Sequence, residues 1–187
     1  MTKRKKKRFP ISLWVSILFF LLVLLSFPQW ISYFYPQPQR DIVFDTAYEN
    51  KVDPYLVFAI IRAESKYQPA ARSPVGARGL MQIMPETAAW IAEQKGLGQF
   101  DPEQLNDPSL NISFGCWYLN SLNQEFEDEL PLVIAAYNAG RGKVKEWQVQ
   151  GIWDGDAEKL DKIPFEETRN YVRNVLKNYE AYRAIYQ

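Results

Sequence analysis

The sequence predicts a mainly α-helical domain with a single apolar helix ahead of it, and three observations carry that expectation. Hydrophobic residues recur at helical spacing through most of the chain after residue 40, while no stretch of useful length alternates as a half-buried strand would. Asp-Pro pairs and glycines stand where helices would start and stop. The first 40 residues hold an unbroken apolar run in place of an amphipathic pattern, and no internal repeat is present.

The elements follow in order. Residues 1–8 form a basic segment with Lys3, Arg4, Lys5, Lys6, Lys7 and Arg8, and no acid precedes Asp41. From Phe9 to Phe27 the side chains are apolar except for Pro10, Ser12, Ser16 and Ser26, a run long enough to cross a bilayer. Trp30, Tyr33, Phe34 and Tyr35 follow it. A basic start and an aromatic far end predict a transmembrane signal-anchor over residues 9–30, with the basic segment cytoplasmic and the remainder outside the cytoplasmic membrane. A cleaved signal peptide is the rival reading, but Ser26-Phe27-Pro28-Gln29-Trp30 offers no small-x-small cleavage site. Residues 31–40, with Pro36 and Pro38, read as an extended spacer, and residues 41–187 as one domain.

Within that domain the first helix spans about Asp41 to Asn50. Asp53-Pro54 supplies an N-cap and a first-turn proline for a nearly all-apolar helix ending near Ser65. A Gly-rich loop or small β element is expected near residues 72–84. The next helix begins at Pro85 and stops at Gly96. Asp107-Pro108 opens a longer helix with the stripe Ile112, Cys116, Leu119, Leu122 and Phe126. Pro131 starts a short apolar helix ending around Asn138–Gly140. Trp147 to Ile163 has no clear period and reads as loop, and a last helix over Glu166 to Tyr186 carries Val172, Val175, Leu176, Tyr179 and Tyr182 on one side.

Composition removes whole classes of chemistry. There is no histidine, which excludes Ser/His and Cys/His pairs and His-based zinc sites. Cys116 is the one cysteine, so no intrachain disulfide forms, and its apolar stripe makes it core filler. The 22 basic and 22 acidic residues balance overall, yet after residue 8 the chain carries 22 acids against 16 bases, a net of −6 with no footprint for nucleic acid. Neither a cofactor nor a metal is expected.

Glu64 stands seven residues after Val57, four after Ile60 and three after Ile61, on the apolar stripe of its helix. Burial there disfavours the carboxylate, as does the negative end of the helix dipole, so both raise its pKa. A carboxyl that keeps its proton near neutral pH suits cleavage of a glycosidic bond. Spacing alone leaves open a carboxylate that points to water from a fraying helix end. The segment that follows, Ser73 to Pro85 with Gly76 and Gly79, adds glycines that permit tight turns, and Met81 and Gln82 as adaptable contacts.

Glu64-Ser65, then Gly79-Leu80-Met81-Gln82, then Ala136-Tyr137-Asn138-Ala139-Gly140, then Glu167-Thr168 with Tyr171-Val172 resemble the successive motifs of the soluble-lytic-transglycosylase family, relatives of goose-type lysozyme. The resemblance runs from about Val52 to Tyr179 and implies a lysozyme-like α+β domain that acts on peptidoglycan. It implies that Glu64 is the sole catalytic acid/base. Glu64 would protonate the oxygen between N-acetylmuramic acid and N-acetylglucosamine, then deprotonate the C6 hydroxyl that closes a 1,6-anhydro ring. A nucleophile from the substrate itself replaces the second carboxylate of a hydrolase. By the same resemblance Ser65 supports Glu64 and Ser73 binds near the reacting sugar. Met81 and Gln82 line the groove, and Tyr137 and Asn138 contact the substrate or Glu64. Glu167 and Tyr171, four apart on one helix side, have supporting roles.

Three rival or neutral readings stand beside this one. Hydrolysis would need a second carboxylate, for which Asp45, Asp53, Glu86 and Glu167 are the candidates, although Asp53 is better explained as a helix cap. A glycan-binding scaffold would need no proton donor beside an apolar helix. Trp147 and Trp153 suit sugar stacking or core packing equally, and Met84 and Trp90 read as core.

Overall fold

A computed structural model describes residues 11–187, with side chains omitted at residues 27–29, and the basic segment 1–8 lies outside the described residues. The chain divides into two compact units, one ending at Pro36 and one spanning Gln37–Gln187. The first unit contains α1, Ile11–Phe34, whose apolar side chains from Ile11 to Leu25 are largely exposed. Among the described residues no helix is long and apolar enough to cross a membrane.

The second unit is built from seven α-helices among the described residues: α2 Arg40–Glu49, α3 Pro54–Glu64, α4 Pro85–Gln94, α5 Pro108–Glu125, α6 Leu130–Ala139, α7 Arg141–Val149 and α8 Glu166–Tyr186. The mainly helical expectation holds. Each Asp-Pro start acts as its chemistry requires: Asp53 Oδ1 accepts from the Tyr55 amide at 2.8 Å, and Asp107 Oδ1 accepts from the Leu110 amide at 2.9 Å.

Helix α3 is the centre of this unit, because Leu56 through Ile61 are all buried and a helix apolar all round must be wrapped by others. It packs on α8 and α2; α8 also lies along α6, and α6 touches α5 and α7. Side chains fix α3 and α8 as an antiparallel pair. At one end Tyr179 Oη donates to Asp53 Oδ2 at 2.7 Å and Tyr55 Oη donates to the Tyr186 carbonyl at 3.0 Å. Between them the Phe58 and Tyr182 rings stack at 5.5 Å. The opposite end therefore brings the last turn of α3, with Glu64, to the first turns of α8, with Glu167 and Tyr171.

Between α3 and α4 the chain forms the expected loop with a trace of β structure. Two isolated antiparallel bridges, Arg72 with Arg78 and Arg78 with Ile83, replace any continuous strand among the described residues. Glu103 pairs with both Arg72 and Arg78 on the outside. On the inside, fully buried Asn111 of α5 accepts from the Met81 amide at 2.8 Å and donates to the carbonyls of Arg78 at 3.0 Å and Leu105 at 2.9 Å. Gly79 has φ +78°, and a Cβ there would lie 2.1 Å from the Asn111 amide, so both the backbone angle and the space demand glycine.

One expectation needs correction. The region from Trp147 to Ile163 is not all loop: Trp147 belongs to α7, and Ala157–Lys162 forms a 3₁₀ helix. Helix α7 buries just Val144 and Trp147, too few apolar positions to show a period. A further 3₁₀ helix, Pro102–Asn106, is closed by a capping box between Asp101 and Gln104.

Asn111→Ala is predicted to destabilise the domain by on the order of 3 kcal/mol, because three buried backbone groups lose their partner together. Urea unfolding followed by tryptophan fluorescence measures it, and a loss below about 1 kcal/mol would show that the loop does not depend on this amide.

Candidate active site

Glu64 ends α3 with its carboxyl in a cleft of about 210 Å³. Opposing influences set its protonation. Burial is the strongest and favours the neutral acid; the hydroxyl of Tyr171, which donates to Oε1 at 2.7 Å, favours the carboxylate; the negative charge of Glu167 again favours the acid. Burial prevails, and the pKa is raised from the usual 4.5 to about 7. A group balanced there releases or takes a proton at neutral pH with little driving force either way, as a side chain must that acts first as acid and then as base.

The cleft walls come from three parts of the chain. Ser73, Gln82 and Met84 come from the loop, Tyr137 and Asn138 from the end of α6, and Glu167 from the start of α8. Ser73 Oγ accepts from the Ala77 amide at 2.9 Å, which holds the loop closed. Gln82 has φ +48°, and its amide nitrogen donates to the carbonyls of Ala71 at 3.1 Å and Gly79 at 2.9 Å. That commitment leaves the side-chain oxygen as the end able to accept a further hydrogen bond. Asn138 Oδ1 accepts from Thr168 Oγ1 at 2.7 Å, tying α6 to α8 and leaving the Asn138 amide nitrogen as a donor.

One of the expected site residues departs from the sequence reading, and two others have partners that the sequence did not specify. Met81 does not line the groove: it is 0% exposed and fills the space opposite Gly115, where a Cβ would lie 2.1 Å from its sulfur. Met84 takes the groove position instead, although its surroundings in sequence read as core. The turn at Gln82 reverses which side of the loop faces inward, and no helical or strand period applies across it. The tyrosine bonded to Glu64 is Tyr171; Tyr137 lines the cleft but donates to the Met81 carbonyl at 2.8 Å. Ser65 is buried, and its hydroxyl donates back to the Ile61 carbonyl at 3.2 Å, finishing the helix behind Glu64 rather than touching its carboxyl. Asn111 and Thr168 are the positioning residues that sequence reasoning missed, since an isolated polar residue within a helical stripe gives no signal of its partner.

The candidate second carboxylates separate cleanly. Asp45 is exposed on α2, Asp53 caps the far end of α3, and Glu86 lines a different hollow. Glu167 alone of the four shares the cleft with Glu64. Trp147 and Trp153 are 3% and 1% exposed, so both are core rather than sugar platforms. Cys116 is buried as expected, with its thiol pushed up to about 12 by burial. A larger hollow of about 510 Å³ is walled by acids such as Glu127, Glu129 and Asp154 and holds none of the motif residues.

Known proteins are similar to this chain in sequence and fold. The family model described as the transglycosylase SLT domain matches residues 41–159, and that of the soluble lytic transglycosylase helical domain matches residues 162–187. The chain is 40% identical over 150 residues to the soluble lytic murein transglycosylase of Escherichia coli K12, a match covering 79% of this chain and 23% of that protein. It is 32% identical over 157 residues to the membrane-bound lytic murein transglycosylase C of Actinobacillus pleuropneumoniae, covering 70% and 42%. The crystal structure of the 70 kDa soluble lytic transglycosylase from Escherichia coli superposes with a TM-score of 0.77 at 37% identity, over 82% of this chain and 25% of that one. The complex of a 70-kDa soluble lytic transglycosylase with bulgecin A gives 0.76. The chain thus spans about a quarter of the length of these soluble relatives.

Titration of the labelled Glu64 carboxyl by carbon NMR is expected to give a midpoint near 7. Tyr171→Phe should move it higher, because the donor that favours the charged form is gone; a wild-type midpoint near 4.5 would contradict the burial argument. Stability has the matching sign. A folded pKa above the unfolded one contributes stability in full below about 4.5 and loses it as pH rises through about 7. Glu64→Gln should therefore gain on the order of 3 kcal/mol over wild type at pH 8, relative to their difference at pH 4, in paired unfolding curves.

Proposed function

From the premise that the chain belongs to the transglycosylase SLT domain family, which its match over residues 41–159 establishes, we propose that it is a peptidoglycan lytic transglycosylase. The observation that carries the proposal is Glu64 itself: a carboxyl with a pKa of about 7, bonded to Tyr171, in a cleft that Gln82, Tyr137, Asn138 and Glu167 of the motifs help to wall.

The chemistry follows from that carboxyl. Glu64 gives its proton to the oxygen of the β-1,4 bond between N-acetylmuramic acid and N-acetylglucosamine, and the C1–O bond breaks with its electron pair leaving on that oxygen. The carboxylate left behind is the form that the Tyr171 hydroxyl stabilises, so the hydrogen bond strengthens as the charge appears. It then removes the proton from the C6 hydroxyl of the same muramoyl ring, whose oxygen bonds to C1 and closes the 1,6-anhydro ring. Glu64 ends as it began, protonated, and no water enters. The Glu167 charge favours the protonated start. Ser73, the Gln82 carbonyl and the Asn138 amide offer hydrogen bonds to sugar hydroxyl and N-acetyl groups, and Met84 offers apolar contact. Met81 and Ser65 hold these groups in place from behind, and Tyr137 does so from the cleft wall through its bond to the Met81 carbonyl.

Hydrolysis is the second reading, and the presence of Glu167 in the same cleft is what favours it. A hydrolase places its second carboxylate across the sugar from the acid. Glu167 lies one helical turn before Tyr171, which bonds Glu64. Release of anhydromuramoyl ends or of reducing ends distinguishes the two readings.

Membrane attachment belongs to the same proposal. The support is the 24-residue helix α1, about 36 Å long at 1.5 Å per residue, with exposed apolar side chains, a basic start and an aromatic end in the sequence. On this reading residues 9–30 anchor the chain in the bacterial cytoplasmic membrane by a single pass, residues 31–40 act as spacer, and residues 41–187 meet the cell wall outside. That a relative is named membrane-bound is consistent with it.

Mass spectrometry of fragments released from purified cell wall should show anhydromuramoyl ends with the wild-type chain and at least a thousandfold fewer with Glu64→Gln. Reducing muramoyl ends would establish hydrolysis, and undiminished turnover by the variant would remove Glu64 from the chemistry. A chain lacking residues 1–36 should leave the membrane fraction and keep its activity on isolated glycan; continued sedimentation with membranes would place the anchor elsewhere.

A further inference from the structure

The chain reverses immediately after the proposed acid, and it does so without glycine. Helix α3 ends at Glu64, Ser65 caps it, and the next two residues, Lys66 and Tyr67, have φ of +49° and +66°. A residue with a Cβ adopts that region at a cost, so surrounding contacts must impose it. Helices α4 and α7 make the same exit on Gly96 and Gly151, at +66° and +65°. Helices α2 and α5 also leave on residues with side chains, Lys51 and the pair Glu127 and Asp128. At α3 the exit carries a side-chain tie to another helix.

Tyr67 lies three residues beyond Glu64, yet its hydroxyl shares a hydrogen bond with that of Tyr182, which is fully buried on α8. The Tyr182 ring stacks on Phe58, six residues before Glu64, so the chain has folded back along α3 to reach it. Arg62, in the last turn of α3, donates to the same Tyr67 hydroxyl at 3.2 Å. One oxygen thus joins α8, the end of α3 and the reversed segment. Packing leaves the outer side of this turn uncovered: a hollow of about 360 Å³ lies there, bounded by Arg62, Ala63, Lys66 and Tyr67 and by Asn174 and Asn178 of α8.

The consequence falls on Glu64. Its carboxyl keeps its burial and its bond to Tyr171 only while the last turn of α3 stays wound. That turn is closed by the Ser65 amide and hydroxyl, which both donate to the Ile61 carbonyl, at 3.1 and 3.2 Å. A chain released at residues 66 and 67 would relax to ordinary negative φ and draw Ser65 with it. We infer that Tyr67 is a positioning residue for Glu64: its hydroxyl, fastened to Tyr182 and Arg62, holds the strained exit of α3 and so keeps the acid seated in the cleft. The effect on rate rests on the glycan-cleaving reading, whereas the effect on the carboxyl does not require it.

The test uses the full chain in detergent micelles, soluble uncross-linked strands of alternating N-acetylglucosamine and N-acetylmuramic acid as substrate, and carbon-labelled glutamate for titration. Tyr67→Phe keeps the ring and removes the hydroxyl. It is expected to lower kcat about tenfold and to change KM by less than about twofold, the mark of a misplaced group rather than lost binding. Its Glu64 midpoint should fall from about 7 toward 4.5, because burial is the larger influence on that carboxyl and is what fraying removes. Tyr182→Phe, which breaks the same bond from the α8 side, should give the same two changes. Lys66→Gly takes a positive φ without strain, so alone it should leave both values at wild type, and in Tyr67→Phe it should restore most of each. A tie that merely stabilised the fold would lower the unfolding midpoint and move neither readout. Wild-type kcat and titration in both phenylalanine variants overturn the inference, as does a defect that Lys66→Gly leaves in place. A wild type that releases no anhydromuramoyl product, beside a fallen midpoint in Tyr67→Phe, overturns cleavage and leaves the positioning role standing.

Discussion

The hydrogen bond between Tyr171 and Glu64 joins the beginning of one long helix to the end of a buried one, and the site depends on it. A carboxyl on the apolar stripe of α3 suffers a desolvation cost that would, alone, keep it neutral and make the charged state between two proton transfers hard to reach. The tyrosine offsets part of that cost without cancelling it. The resulting pKa of about 7 leaves a side chain that can hold or release its proton near neutral pH. The bond forms because α3 and α8 run antiparallel, and that pairing is fixed at the other end by Tyr179 on Asp53 and Tyr55 on the Tyr186 carbonyl, more than 100 residues apart in sequence. The caps and aromatic stack that stabilise the fold are therefore what bring Tyr171 to Glu64.

The opposite wall of the cleft relies on a different economy. A short loop without regular structure has few backbone bonds of its own, so its shape must be imposed from outside. Asn111 does this by satisfying three backbone groups from within α5, and Met81 anchors the loop by filling the void left by Gly115. Two glycines, at 79 and 115, are required for opposite reasons. Gly79 admits a backbone angle and a close approach to Asn111, whereas Gly115 yields its volume to another side chain. The loop then turns Gln82 and Met84 toward the cleft.

The aromatic column of Trp90, Tyr118 and Tyr137 connects these parts mechanically. Tyr137 packs on Tyr118 and bonds the Met81 carbonyl, so the end of α6, the face of α5 and the loop share one support. Rigid support from several elements holds a half-buried acid within reach of its substrate more reliably than a mobile loop would.

Much of this was legible in the sequence. Periodicity, Asp-Pro caps and glycine stops gave six helices of the domain to within a residue or two, because those signals act between residues three or four apart. The stripe Val57, Ile60, Ile61 and Glu64 announced a carboxyl under pressure to stay protonated, and the four motifs in order identified its neighbours. Helix α7 stayed hidden because it buries two residues only. Partners stayed hidden as well: which tyrosine bonds Glu64, which methionine lines the cleft, and what Asn111 holds are set by contacts spanning 30 to 107 residues, which depend on how helices pack and not on local spacing. Sequence determined the acid and the reason its proton is retained; tertiary structure decided which hydroxyl steadies it, since that choice is made by the antiparallel docking of α8 on α3.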